Sequence, residues 1–155
     1  LLSDFIAPFL ITIDFQGKNF NHFSQRSLQY KNNGYETKGV VDWMAASGGF
    51  EPECPYFFLH EYKRTKGTES DPLGQLLIGM VAAQRLNENP EIPLYGCYVI
   101  GRIWYFVVLQ NNNYSVSQGF DAVDEKELTH IWLVLDKTKN MIAQWALEEL
   151  TKRLS

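Results

Sequence analysis

Two carboxylates and a lysine stand where they could act together: Asp42, then eighteen residues, then Glu61-Tyr62-Lys63. Residues 56–63 have the composition of a strand, and alternate residues of a strand share a face. Phe57, Leu59, Glu61 and Lys63 therefore point one way, and Phe58, His60 and Tyr62 the other. An apolar face that ends in a carboxylate and an ammonium suggests a core that opens into a polar cleft at the strand end. The preceding segment has the same character, with Val40 and Val41 followed by Asp42 ahead of Trp43 and Met44. If the two strands are neighbours, Asp42, Glu61 and Lys63 converge.

Phosphodiester hydrolysis needs such a set. Paired carboxylates hold Mg²⁺ or Mn²⁺, hard cations that prefer oxygen ligands. The cation polarises the phosphate and lowers the pKa of a bound water. A nearby lysine orients that water or stabilises charge building on the phosphoryl oxygens. The bland alternative is an acid at one strand end and a local Glu61–Lys63 ion pair, which are common surface features.

The elements that must position these residues follow from turn signals and periodicity. Strands are expected at residues 8–15, 24–31, 35–44 and 56–63, with Asn32-Asn33-Gly34 turning the second into the third. Gly48-Gly49 and Pro52 break the chain before the fourth. Asp71-Pro72 is a helix start, a capping carboxylate followed by Pro at the first helical position. Leu73, Leu76, Leu77, Met80, Val81 and Ala83 continue an apolar stripe to about Asn87. Residues 94–100 and 103–110 read as a hairpin turned at Gly101-Arg102, Gly first suiting a type II′ turn. A short strand follows at 114–117. From Asp124 onward a period near 3.6 runs to the end, with a possible interruption around residues 137–140. The fold class is thus α/β, one partly antiparallel sheet with helices against it.

The bulk properties fit one globular domain spanning residues 1–155, since 155 residues support one buried core and not two ordinary ones. Hydrophobic residues make up 45% and charged residues 21%, which excludes a disordered chain. The longest clean apolar run, residues 76–83, is far short of the roughly 20 residues that span a bilayer. Cys54 and Cys97 give neither a disulfide framework nor a metal-binding spacing, and point to reduced thiols in the cytoplasm. The formal charge of −4 argues mildly against a simple nucleic-acid binder. It is unevenly spread: Lys18, Arg26, Lys31 and Lys38 face one acid, Glu36, in the amino-terminal part, while residues 121–149 carry seven acids against three lysines.

Asp42 with Glu61-Tyr62-Lys63 resembles the PD-(D/E)XK nuclease superfamily, over roughly residues 35–109. The resemblance implies a restriction-endonuclease-like mixed β-sheet flanked by helices, with the Asp on the second core strand, the (D/E)XK on the third, and a helix directly after. It implies that Asp42, Glu61 and the backbone carbonyl of Tyr62 ligate Mg²⁺ or Mn²⁺, that Lys63 is the catalytic lysine, and that the substrate is nucleic acid, DNA before RNA. One branch of the superfamily, related to recombination exonucleases, places a Gln on the first turns of the helix, facing the metal. Gln75 matches it, whereas that branch's aromatic four positions on is here Gly79. Three further departures are Val41 in place of the Pro before the Asp, the acidic balance, and the absence before Pro8 of the family's leading helix, expected upstream of Leu1.

Other candidates carry less. His60 faces away from Glu61 and reads as a packed histidine, and His22 and His130 have no partner at useful spacing. Trp43 beside Asp42 could stack on a base if exposed. Against the nuclease stands a non-catalytic interaction or scaffold domain with the same fold, and an unrelated α/β binding module if the two strands are not adjacent. Two converging carboxylates repel each other, so a domain without turnover has no physical reason to keep them.

Overall fold

A computed structural model of the chain describes residues 12–63 and 71–155. The order is β1 (Asn21–Asn32), β2 (Tyr35–Ser47), β3 (Glu53–Lys63), α1 (Pro72–Asn87), β4 (Leu94–Ile100), β5 (Ile103–Gln110), β6 (Asn113–Val116), β7 (Phe120–Asp121) and α2 (Glu125–Leu154). The strands form one mixed, mostly antiparallel open sheet in the order β1-β2-β3-β4-β5-β6, with β7 also on β5. Only β3 and β4 are parallel, joined by the crossover through α1. The carboxyl ends of these two strands and the amino end of α1 therefore meet at one edge.

Local chemistry sets the element ends. Asn33 and Gly34 both have positive φ (46° and 83°), which suits the two central positions of a type I′ turn between β1 and β2. Gly101 has φ 63° and Arg102 does not share it, which fits the type II′ turn expected between β4 and β5. Asp71 caps α1, Oδ1 accepting the Gly74 N–H at 2.9 Å. Asp124 caps α2 by accepting the N–H groups of Lys126 and Glu127.

Each face of the sheet carries a core. On one, Leu76, Met80 and Ala83 of α1 pack with Val41, Met44, Leu59, Tyr98 and Val107. On the other, Ile131, Leu135, Ile142 and Ala146 of α2 pack with Phe58, Cys97, Val99 and Trp104. Among the described residues no helix is long and apolar enough to cross a membrane.

Four expectations need correction. Phe57 does not share the face of Leu59: the β2–β3 register shifts opposite it, between Ala45 and Ala46, and its ring packs with Phe58 in the α2-side core. Thr12 and Ile13 are helical and Asp14 turns with φ 53°, so residues 12–15 are not strand, and residues 8–11 lie outside the described residues. The apolar composition there serves burial instead, Ile13 and Phe15 being sealed in the α2-side core. The third and fourth strands run longer than expected, to Ser47 and from Glu53. Finally, α2 is unbroken through residues 137–140: Thr138 is buried between Leu135 and Ile142 on the core face, and its hydroxyl is satisfied within the helix by the Val134 carbonyl at 2.7 Å. The expected upstream helix lies outside the described residues.

Candidate active site

The site is a fork in the sheet. The β2–β3 ladder runs as far as Trp43↔His60 and stops. Beyond that point β2 pairs with β1 alone, and Glu61, Tyr62 and Lys63 pair with β4 alone. The side-chain phase of β2 shifts there too: Gly39 and Val41 face α1 before the fork, and Met44 and Ala46 face it after. On the facing strand Gln25, opposite Asp42, has φ 47°. β2 thus swings off β3 toward α1, where a Cβ on Gly39 would lie 3.2 Å from the Gly79 backbone nitrogen.

Asp42 sits at the vertex. Its Oδ2 accepts the Tyr62 backbone N–H at 2.8 Å, replacing the ladder bond that β2 no longer supplies. The N–H and C=O of one strand residue point to the same side. The Tyr62 carbonyl is therefore turned into the same fork, while the Lys63 carbonyl is turned to β4 and accepts the Gly101 N–H at 2.9 Å.

Glu61 is 5% exposed, and its Oε2 is buried without a hydrogen-bond partner. Burial and then the Asp42 charge push its carboxyl up to about 7, while the Lys63 ammonium and a backbone hydrogen bond from Asp42 pull the other way. Asp42 and Lys63 are thus each close enough to act on the Glu61 carboxyl. Gln75 is exposed on the first turns of α1 and is not among the groups that act on Glu61.

His60 points to the opposite core, 2% exposed, its ring 5.7 Å from Trp104 and its pKa lowered by burial to about 4. Trp43 is half-buried there as well, edge-on to Phe15 and Phe58 and stacked on His22, so its faces are already engaged. The basic flank is partly matched: Lys31 pairs with Glu36 at 3.5 Å and Arg26 with Glu51 at 3.3 Å.

The sequence reading missed the neighbours of Glu61 across the sheet. Tyr98 is its register partner on β4, and Tyr105 is the partner of Tyr98 on β5. Only strand register reveals this, although the hairpin turn at Gly101-Arg102 fixes the Tyr98–Tyr105 pairing by counting outward.

Chemically, two carboxylate side chains and an inward-turned carbonyl form an all-oxygen set suited to a hard divalent cation. Among the described residues no group of three or more His, Cys, Asp or Glu side chains converges, so any such centre rests on two carboxylates. Compared with protein-family models, curated proteins and solved structures, the chain matches none.

Proposed function

We propose that this chain is a metal-dependent nuclease of the PD-(D/E)XK type, with a restriction-endonuclease-like fold, hydrolysing phosphodiester bonds of nucleic acid, DNA before RNA. One observation carries the reading: the buried, unpartnered Glu61 Oε2 beside Asp42. An orphaned carboxylate oxygen costs stability unless something fills its place, and a cation shared with Asp42 would do so. The topology supports the same reading, with Asp42 on β2, Glu61-Tyr62-Lys63 on β3 and α1 next in the chain.

Asp42, Glu61 and the Tyr62 carbonyl would hold Mg²⁺ or Mn²⁺. When bound, the ion supplies Lewis-acid polarisation of the phosphate and a water that ionises near neutral pH. The Tyr62 N–H fixes Asp42, and burial keeps competing water from Glu61. Lys63, on the face of Glu61, presents an ammonium to the attacking water or the phosphoryl oxygens. Gln75 belongs to this reading only as a polar residue at the mouth of the helix.

The second reading is a non-catalytic interaction domain of the same architecture. A Glu61 carboxyl raised to about 7 favours it, because a neutral acid can occupy the fork without any cation.

Isothermal titration with Mn²⁺ separates the two. The nuclease reading expects binding that Asp42→Ala and Glu61→Ala each abolish, and divalent-dependent nicking of DNA that EDTA stops. Lys63→Ala should keep Mn²⁺ affinity while slowing nicking by about 100-fold or more. Absence of Mn²⁺ binding that depends on both carboxylates would establish the scaffold reading.

A further inference from the structure

The polar row that begins at the fork continues across the sheet. Glu61, Tyr98 and Tyr105 lie on three successive strands, β3 to β5, a span of roughly 10 Å at ordinary strand spacing, with Asp42 across the fork on β2. The two tyrosines are cross-strand partners on the α1 face, their rings parallel within 9° and 4.7 Å apart. Asp71, the cap of α1, is close enough to act on the Tyr98 phenol. The pair thus sits where the carboxyl end of β4 meets the amino end of α1, directly beside Glu61.

The ring faces are spent on each other and on the core, Tyr98 being 8% exposed, so no base can stack there. The hydroxyls remain. Among the described residues neither takes part in a hydrogen bond.

We infer that Tyr98 and Tyr105 form a backbone-phosphate subsite, donating their hydroxyls to the oxygens of the phosphodiester next to the one held at Asp42 and Glu61. This rests on the nuclease reading and names how the same site grips its substrate. The surroundings explain the choice of residue. A lysine placed between Glu61 and Asp71 would be drawn into ion pairs with them, whereas a phenol is a neutral donor that a carboxylate does not quench. A phenol is protonated at neutral pH and so remains a donor there. Asp71 has its own partner in the Gly74 N–H and sits at the positive end of the α1 dipole, which eases the approach of a phosphate. A chain of net charge −4 gains phosphate affinity from neutral donors.

The test uses the full chain, a fluorescein-labelled single-stranded DNA 12-mer read by anisotropy in Ca²⁺, and Mn²⁺ titration in parallel. Tyr98→Phe and Tyr105→Phe keep the stacked rings and remove only the hydroxyls. The double variant should bind the 12-mer about 10-fold more weakly, as loss of two neutral hydrogen bonds predicts, with Mn²⁺ affinity within about 2-fold of wild type. In cleavage assays KM should rise with kcat little changed, the mark of lost uniform binding. The half-buried Tyr105→Phe alone should show about 3-fold, and it carries the test if the Tyr98 variant does not fold. Unchanged 12-mer affinity with intact Mn²⁺ binding overturns the subsite and leaves the nuclease reading standing. Wild type that binds Mn²⁺ and no 12-mer overturns the subsite as well. Wild type that binds no Mn²⁺ overturns the nuclease reading, and the subsite with it.

Discussion

Tyr62 donates its backbone N–H to Asp42 Oδ2 at 2.8 Å, at the point where β2 leaves β3. The carboxylate therefore has two separable tasks: it closes a backbone bond that the ladder has dropped, and it brings negative charge beside Glu61. The two tasks respond differently to substitution.

Asp42→Asn keeps an acceptor for the Tyr62 N–H and removes the charge that repels Glu61. Asp42→Ala removes both and leaves the donor unsatisfied, at about 1–3 kcal/mol. For a chain of this size that is a drop in Tm of roughly 3–9 °C, whereas Asp42→Asn should melt at or above wild type at pH 8 without metal. Both variants should lose Mn²⁺ binding. Equal melting temperatures for the two would show that the hydrogen bond contributes nothing to the fork.

His60 and Glu61 are adjacent in sequence, face opposite cores, and bias stability in opposite directions with pH. Glu61 is raised from 4.5 to about 7, so the folded state holds a proton that the unfolded state gives up. Stability present below pH 4.5 is lost as pH rises toward 7, by at most about 3 kcal/mol. His60 is lowered from 6.5 to about 4, so stability present above pH 6.5 is lost as pH falls through that window. In the wild type the two slopes partly cancel between pH 4.5 and 6.5. Glu61→Gln should unmask the His60 slope, with Tm falling as pH drops below 6.5, and should raise Tm at pH 8 in EDTA. Mn²⁺ at 100 times its Kd should raise wild-type stability by about 2.7 kcal/mol at pH 8, and by much less at pH 5.5, where Glu61 is protonated. Thermal melts from pH 4 to 8 measure all of this; a Glu61→Gln profile that overlays wild type would remove Glu61 as a titrating group.

Much of the frame was legible because local chemistry dictates it. Asp71-Pro72 fixes the start of α1, and Gly101-Arg102 fixes the β4–β5 hairpin, each at the residues expected. That Glu61 and Lys63 stand two apart on one strand was legible from the composition of residues 56–63. The fork was not. It arises where Gln25 adopts positive φ and the phase of β2 shifts between Val41 and Met44, and no run of residues within β2 announces either. Residues 12–15 misled for a related reason: their apolar side chains serve a core contact rather than a strand. The two-residue β7 is too short to carry any periodic signal.

Gly79 lies where α1 comes closest to β2, and the packing leaves little room for a side chain there. It is buried in the face of α1 that rests on the fork, and a Cβ there would lie 2.8 Å from Val41 Cγ1 and 3.1 Å from Leu59 Cδ2. Val41 is itself fully buried and directly precedes Asp42, so it has little room to give. Gly79→Ala sets this crowding against about 1 kcal/mol of helix propensity gained, and should change stability by no more than about 2 kcal/mol. Gly79→Phe has no such offset. It must lift α1 from β2, at the upper end of or beyond the roughly 1–3 kcal/mol that overpacking typically costs. Because Val41 is the contact, the displacement passes to Asp42 and widens its separation from Glu61. Gly79→Phe should therefore weaken Mn²⁺ binding at least 10-fold at temperatures where circular dichroism still shows a folded chain. Chemical denaturation and Mn²⁺ titration of the two variants provide the check. A Gly79→Phe protein as stable as wild type, with unchanged Mn²⁺ affinity, would mean that α1 does not clamp the fork.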